Sequence, residues 1–260
     1  MLLGGRERAV CLRNAIPMEW IERMRAAVDD DMASPGPMVR INTPQGAPGL
    51  FFVDFQLWQR HPAARAFVYE SPAREIVARL MGSQEVVYYH DHLLVKEGGT
   101  TTPTPWHQDQ PYYNIDGRQN VSFWIPVDAV SRASTLEFLA GSHRGPWLMP
   151  RTFQTQQARW FPEGSLADIP DMSAPEQRER VIGWALEPGD CVAFHMLTLY
   201  AAAGVEPGRR RRVFSARYLG DDITHAPRRW RTSPEFDGLA QQLPAGAPMA
   251  HAQFPLVWPN

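Results

Sequence analysis

The sequence predicts a mainly β protein: a double-stranded β-helix (jelly roll, cupin-like) with a flanking layer of N-terminal α-helices. Helical patterns come first along the chain, and short segments rich in Val, Tyr, Phe and Leu follow from about residue 85. The 24 Pro and 9 Trp suit short strands joined by rigid loops. Helices that precede a run of short strands are typical of a helical layer packed on a β core.

The helical layer is predicted to contain helices over residues 17–32, 62–69 and 71–81. In the first, Pro17 suits the first turn, and apolar residues at helical spacing share one face: Trp20, Ile21, Met24 and Val28. In the third, Ser71 is a suitable N-cap ahead of a proline at the first helical position. These helices belong to an N-terminal layer of residues 1–84.

The β core is predicted over about residues 85–225, within one domain of residues 1–260. The predicted strands are 85–96, 120–127, 135–139, 181–186, 191–199 and 212–219. A loop-rich insert covers residues 144–179. A tail of residues 226–260, rich in Pro, Ala and aromatics, is expected to wrap the surface.

Charge and cysteine content exclude several classes of protein. A formal net charge of −2 gives no global basic field, so we expect no nucleic-acid partner. The two cysteines, Cys11 and Cys191, make neither a disulfide framework nor a zinc site, and favour a cytoplasmic setting. The charged start lacks the apolar core of a signal peptide, and no apolar run reaches the ~18–20 residues of a membrane span. The oligomeric state is left open.

The segment His107-Gln108-Asp109 carries the candidate chemistry, with Trp106, Tyr112 and Tyr113 around it. Residues i and i+2 of an extended strand point the same way, so the imidazole and the carboxylate could chelate one metal ion. Nitrogen plus carboxylate oxygen suits Fe(II), and a two-His-one-carboxylate triad leaves positions open for an organic co-substrate and dioxygen.

Several segments in order resemble the phytanoyl-CoA dioxygenase family. They are residues 93–96 (LLVK), 103–117, 123–126 (FWIP), 136–144 (LEFLAGSHR), 188–199 (PGDCVAFHMLTL) and 211–222 (RRVFSARYLGDD). The resemblance implies a jelly-roll oxygenase with Fe(II) and 2-oxoglutarate as cofactors, and with dioxygen and a small organic molecule as substrates. The family's H-x-D motif falls on His107 and Asp109.

The resemblance also implies a 2-oxoglutarate site. The family's anchoring arginine falls on Arg211, and a guanidinium matches a carboxylate bidentately. Lys96 matches a family lysine that can reach the co-substrate, and a surface lysine at a strand end is the open alternative. Trp124 matches an aromatic residue beside the co-substrate, with a plain core tryptophan as the alternative.

The family's distal metal ligand is the histidine of a T-L-H segment, and here that segment is Thr198-Leu199-Tyr200. A phenol has a pKa near 10 and must lose its proton to ligate well. Three outcomes stay open. Fe(II) binds through His107 and Asp109 with water or Tyr200 completing the set; the chain binds a small molecule without oxidising it; or Tyr200 is an introduced substitution in an ordinary enzyme.

Other histidines are less suited to replace the missing ligand. His195 precedes Tyr200 by five positions, an odd number that puts the two on opposite sides of a regular strand. His143 lies in a G-S-H turn and is expected to cap it. His90 and His92 alternate on a strand, where they either line the barrel mouth or form buried hydrogen bonds.

The sequence therefore predicts an oxygenase that hydroxylates a small organic substrate and converts 2-oxoglutarate to succinate, impaired or altered by Tyr200. Two alternatives remain. One is a catalytically degenerate binding relative. The other is a metal-independent isomerase or lyase of cupin-like fold that uses Tyr200 as proton donor.

Overall fold

A computed structural model describes residues 8–150, 161–162 and 164–259, so part of the predicted insert lies outside the described residues. The helices are α1 Met18–Ala33, α2 Leu57–Arg60, α3 Pro62–Glu70, α4 Ala73–Met81, α5 Pro175–Arg178 and α6 Leu239–Gln242. The strands are β1 Ala9–Leu12, β2 Arg40–Ile41, β3 Phe51–Phe55, β4 Val86–Lys96, β5 Thr104–His107, β6 Ile115–Asp116, β7 Asn120–Pro126, β8 Leu136–Leu139, β9 Val181–Ile182, β10 Cys191–Phe194, β11 Tyr200–Ala202, β12 Arg211–Leu219, β13 Thr224–His225 and β14 Leu256–Trp258.

The strands form two main antiparallel sheets, and the predicted jelly roll is confirmed. The larger sheet has the order β1-β10-β7-β12-β4-β3-β2, and β14 adds to it by pairing with β4. The smaller sheet has the order β5-β11-β8-β9, and β6 pairs with β13 separately. Several neighbours in these orders, such as β10 with β7 and β12 with β4, are distant in sequence, which is typical of this architecture.

The helical layer covers the outer face of the larger sheet, as predicted. Trp20 of α1 packs edge-on against Phe67 of α3, with ring centroids 5.8 Å apart. Phe67 in turn contacts Phe214 of β12 at 5.5 Å. Alternate residues of β12 point outward, so Phe214, Ala216 and Tyr218 join the helices in one apolar core.

An ion-pair network ties this layer to the sheet. The Arg60 guanidinium of α2 contacts Asp31 of α1 at 2.6 Å and Asp54 of β3 at 3.0 Å. Both carboxylate side chains are 0% exposed. Arg60 therefore balances two buried negative charges at once.

The inner face of the larger sheet carries polar and charged side chains. Ser215 lies opposite His92 of β4 and Trp124 of β7, and Arg217 lies opposite His90 and Ser122. Residues directly opposite in an antiparallel pair share one face of the sheet. The alternation that turns aromatics outward on β12 thus turns polar groups inward.

Several segments differ from the sequence predictions. Residues 1–84 supply β1, β2 and β3 to the larger sheet as well as helices, and the strand predicted at 181–186 is limited to Val181–Ile182. Residues 191–199 do not form one strand: β10 ends at Phe194, and the Thr198 amide donates to the His195 carbonyl at 2.8 Å in a turn before β11. The tail does more than wrap the surface, because β14 pairs with β4. No helix in the described part of the chain combines the length and apolar character needed to cross a bilayer.

Candidate metal centre

A cavity lies between the inner faces of the two sheets. Five of the six residues predicted for the site line it: His107, Asp109, Trp124, Tyr200 and Arg211. Residues from β5, β7, β11 and β12 thus meet at one place, as the resemblance implies.

His107, Asp109 and Tyr200 form a compact cluster in this cavity. His107 ends β5 directly opposite Tyr200 of β11, and their ring centroids are 4.3 Å apart. His107 Nε2 lies 3.8 Å from Asp109 Oδ1. The Tyr200 hydroxyl donates to the same Oδ1 at 2.8 Å. The side chain that follows Leu199 is therefore in contact with the H-x-D pair.

The backbone sets the tautomer of His107. Its Nδ1 donates to the Pro105 carbonyl at 2.7 Å. In a neutral imidazole the other nitrogen, Nε2, then carries the lone pair. This is the arrangement that metal-binding histidines adopt, with one nitrogen held by a carbonyl and the other directed to the metal.

The convergence of His107 and Asp109 has a different cause from the predicted one. Asp109 is not in a strand: it has φ −76° and ψ −44° and precedes a 3-10 turn over Gln110–Tyr112. The chain turns after β5, and the Asp109 amide donates to the Met196 carbonyl at 2.8 Å. A local turn anchored to the β10–β11 connection, rather than strand alternation, brings the carboxylate beside the imidazole.

The second oxygen of Asp109 is held by residues that sequence reasoning missed. Ser122 Oγ donates to Asp109 Oδ2 at 2.5 Å, and Arg217 Nη2 lies 3.2 Å from it. Arg217 also donates through Nε to the Tyr113 hydroxyl at 3.1 Å and through Nη1 to Ser215 Oγ at 2.6 Å. A signal was available, because Arg217 follows Arg211 by six positions on one strand, and even spacing puts both on the inner face.

The electrostatics of the cluster keep Asp109 ionised and Tyr200 neutral. Burial alone would raise the pKa of Asp109, but Arg217, His107 and the hydrogen bonds from Ser122 and Tyr200 hold it below its usual value. Burial, together with the Asp109 charge, raises the pKa of Tyr200 well above 10. At neutral pH the cluster holds one carboxylate and one phenol that donates to it.

The donor set accommodates iron with two protein ligands. Asp109 Oδ1 and His107 Nε2 supply the oxygen and nitrogen that suit Fe(II). Within the described ranges, no group of three His, Cys, Asp or Glu side chains could hold a metal ion. Tyr200 stands where the resemblance implies the distal histidine, and its hydroxyl lies 2.8 Å from Asp109 Oδ1.

Arg211 offers a fitting partner for a carboxylate. Its Nη1 donates to the Ser134 carbonyl, while its buried Nε has no hydrogen-bond partner among the residues described. The guanidinium carbon lies 5.9 Å from the Trp124 ring centroid. Burial lowers the pKa of Arg211 to about 10, which leaves it charged at neutral pH. A buried cation with an unused N–H group suits an acid such as 2-oxoglutarate.

The turn that supports Arg211 is itself anchored. Glu206 accepts hydrogen bonds from Ser131 Oγ and Ser134 Oγ, each at 2.6 Å. These bonds lower the pKa of Glu206 to about 2.

Lys96 does not line the cavity, although it is paired with Arg211 across the sheet. Its Nζ donates to the carbonyls of Thr102 at 2.8 Å and Ala203 at 3.1 Å, and it sits 4.4 Å from the Phe51 ring centroid. Lys96 is 1% exposed, which contradicts the surface-lysine alternative. Burial, with Arg211 nearby, lowers its pKa to about 6. These contacts connect the end of β4 to the residue segments that precede β5 and follow β11.

The remaining histidines have structural partners or line the wall. His195 Nε2 donates to the Arg118 carbonyl at 3.0 Å, and its Nδ1 accepts from the Leu197 amide, so this ring is committed to the turn. His92 lines the cavity and stacks on Phe55, with ring centroids 4.2 Å apart. The buried hydrogen-bonded alternative holds for one nitrogen of His90, whose Nδ1 lies 3.3 Å from the Asp91 carbonyl, whereas the Nε2 atoms of His90 and His92 have no hydrogen-bond partner in the described part of the chain. The G-S-H turn is bonded through Ser142, whose Oγ donates to the Leu139 carbonyl, rather than through His143.

Solved structures share this fold over nearly the whole chain. The non-heme alpha ketoglutarate dependent epimerase SnoN from nogalamycin biosynthesis matches with a TM-score of 0.76 at 17% identity, covering 98% of this chain and 93% of its own. The non-heme alpha ketoglutarate dependent carbocyclase SnoK from nogalamycin biosynthesis matches with a TM-score of 0.73 at 22% identity, covering 97% and 92%. EctD from S. alaskensis, with 2-oxoglutarate and 5-hydroxyectoine, has a TM-score of 0.65 at 17% identity, covering 83% and 73%.

At these identities the structural matches establish the fold. No curated protein sequence matches the chain. The family model of phytanoyl-CoA dioxygenase, however, matches residues 9–213. This span includes the H-x-D segment, Tyr200 and Arg211. The chain therefore belongs to the phytanoyl-CoA dioxygenase family, whose members use Fe(II) and 2-oxoglutarate.

Proposed function

We propose that this chain is an Fe(II)- and 2-oxoglutarate-dependent oxygenase that hydroxylates a small organic substrate and converts 2-oxoglutarate to succinate. The observation that carries the proposal is the meeting of His107, Asp109 and Tyr200 in one cavity with Arg211. A site that had lost its function over a long period would not be expected to keep both metal donors and a buried, partly unpaired arginine.

In this proposal His107 Nε2 and Asp109 Oδ1 hold the metal, which supplies the oxidising chemistry with dioxygen when bound. Arg211 pairs with the distal carboxylate of 2-oxoglutarate and fixes its orientation. Trp124 forms the wall beside the co-substrate. The aromatic and aliphatic lining of the cavity excludes water from the reacting groups.

Tyr200 is the proposed cause of altered activity. Its hydroxyl donates to the carboxylate oxygen that a metal would take, so metal binding must displace or rearrange this bond. The names of SnoN and SnoK, an epimerase and a carbocyclase, add that hydroxylation need not be the outcome on this fold.

A second candidate is a binding protein without oxidative activity. It is favoured by the contacts of Asp109, whose two oxygens are satisfied by Tyr200, Ser122 and Arg217 without a metal. A metal-independent isomerase or lyase with Tyr200 as proton donor is the third, and it requires turnover in the presence of a chelator.

Anaerobic titration with Fe(II) and 2-oxoglutarate tests the proposal, using the wild type beside Tyr200→His and Tyr200→Phe. We expect the His variant to show the stronger visible charge-transfer band and the tighter coupling of 2-oxoglutarate decarboxylation to oxygen uptake. The Phe variant separates loss of the hydroxyl from gain of an imidazole. Absence of the band from all three proteins would refute the iron assignment, and equal bands would show that Tyr200 does not affect the metal.

A further inference from the structure

Arg217 is a buried cation inside the cavity. It is 2% exposed and lies on the inner face of β12, two residues beyond Ser215. Its guanidinium is held at three points, by the Tyr113 hydroxyl, by Ser215 and by Asp109. A guanidinium bonded on several sides cannot move away when another charge enters the cavity.

The ion pair between Arg217 and Asp109 determines the net charge of the site. Asp109 contributes one negative charge and Arg217 one positive charge, while Tyr200 donates its hydroxyl proton in a hydrogen bond to Asp109 and adds no charge, so this cluster is neutral as it stands. A site with two neutral imidazoles and one carboxylate carries one negative charge toward a divalent cation. Here Arg217 offsets that charge, and a divalent ion would add two positive charges beside a fixed cation.

Burial increases the energetic cost of placing a divalent cation beside Arg217. Like charges repel far more strongly in a dry protein interior than in water. Arg211, a second buried cation, lines the same cavity. An anionic ligand that enters with the metal would restore the balance, and 2-oxoglutarate carries two negative charges.

We propose that Arg217 makes divalent-metal binding at His107 and Asp109 depend on an anionic co-ligand, so that metal and 2-oxoglutarate bind strongly only together. This inference rests on the proposed function and adds a positioning residue to it. Arg217 acts through the charge that it holds against Asp109 Oδ2, not by touching the substrate.

The alternative role for Arg217 is to orient Asp109 by hydrogen bonding alone. Ser122 already donates a hydrogen bond to the same oxygen of Asp109. The two roles predict opposite results. Loss of an orienting bond weakens metal binding, whereas loss of a repelling charge strengthens it.

The test measures the affinity for Mn(II), a redox-stable probe, by isothermal titration with and without saturating 2-oxoglutarate. Because 2-oxoglutarate chelates the metal, it strengthens Mn(II) binding even without Arg217. The contribution of Arg217 to this coupling is therefore measured by comparing variants. We expect Arg217→Gln to bind Mn(II) at least tenfold more tightly than the wild type when 2-oxoglutarate is absent. The gain in Mn(II) affinity on adding 2-oxoglutarate should fall at least tenfold in this variant. Arg217→Lys keeps the charge and should resemble the wild type.

Circular dichroism and a thermal melt check that each variant is folded. The reciprocal measurement, 2-oxoglutarate affinity with and without Mn(II), must give the same coupling factor. Ser122→Ala, which removes a hydrogen bond to Asp109 without changing charge, should not tighten Mn(II) binding.

Two results overturn the inference while the proposed function stands. One is Mn(II) binding by Arg217→Gln that is no tighter than in the wild type. The other needs no variant: less than about fivefold improvement of wild-type Mn(II) binding by 2-oxoglutarate. If the wild type fails to bind Mn(II) even with saturating 2-oxoglutarate, the proposed function and this inference both fall.

Discussion

Replacing Arg211 with glutamine should abolish most of the affinity for 2-oxoglutarate. Arg211 is 4% exposed, one N–H group of its guanidinium is bonded to the Ser134 carbonyl, and its Nε has no partner in the described ranges. Hydrogen bonds to charged groups contribute about 1.5–3 kcal/mol each, and removing one partner of a buried charge pair costs about 2–5 kcal/mol. At about 1.4 kcal/mol per tenfold change, the dissociation constant should rise by roughly 30-fold to several thousandfold.

The assay is isothermal titration of 2-oxoglutarate into protein held in excess Mn(II). Arg212→Gln is the matched control, because the adjacent guanidinium pairs with Asp128 at 2.6 Å instead of lining the cavity. Its 2-oxoglutarate affinity should stay within about twofold of the wild type. Arg211→Lys, which keeps the charge and loses the planar fork, should fall between the two. A rise of less than about fivefold for Arg211→Gln would refute the assignment of this side chain to the co-substrate.

Three further predictions concern stability. Arg60→Met should lower the free energy of unfolding in urea by about 3 kcal/mol, because it strands two buried carboxylates, and an unchanged midpoint would contradict this. Ser122→Ala should cost about 1 kcal/mol in the same assay, since Arg217 still holds Asp109. Glu206 has a folded-state pKa of about 2, below its unfolded value of about 4.3, so the unfolded state binds more protons between these values. Its stabilisation is present above about pH 4 and is lost as pH falls toward 2, so the stability gap between wild type and Glu206→Gln should close in that range.

Helices and strands were predicted correctly where the local sequence pattern agrees with the packing that the fold requires. The helix at 17–32 and the strand at 85–96 match α1 Met18–Ala33 and β4 Val86–Lys96 closely. Both have strong periodicity or β-rich composition and clear boundaries. The strand predicted at 191–199 failed because an apolar run does not show where the chain turns, and His195 bonds the turn that separates β10 from β11.

The site was predictable as a set of residues, and less so as a set of contacts. The H-x-D segment and the T-L-Y segment were found by their resemblance to a family, and the structure brings His107, Asp109 and Tyr200 together. The contacts of Asp109 with Ser122 and Arg217 join the turn after β5 to β7 and β12. No local pattern encodes such pairing, which depends on strand order and register.

The hydrogen bond between His107 and the Pro105 carbonyl makes the orientation of the imidazole insensitive to many side-chain substitutions. Because the acceptor is a main-chain oxygen, exchanging the side chain at position 105 does not delete it. The orientation of the imidazole therefore survives substitutions that leave the path of β5 unchanged. Side chains around this ring, including the one at position 200, can therefore be exchanged while His107 Nε2 keeps its direction into the cavity.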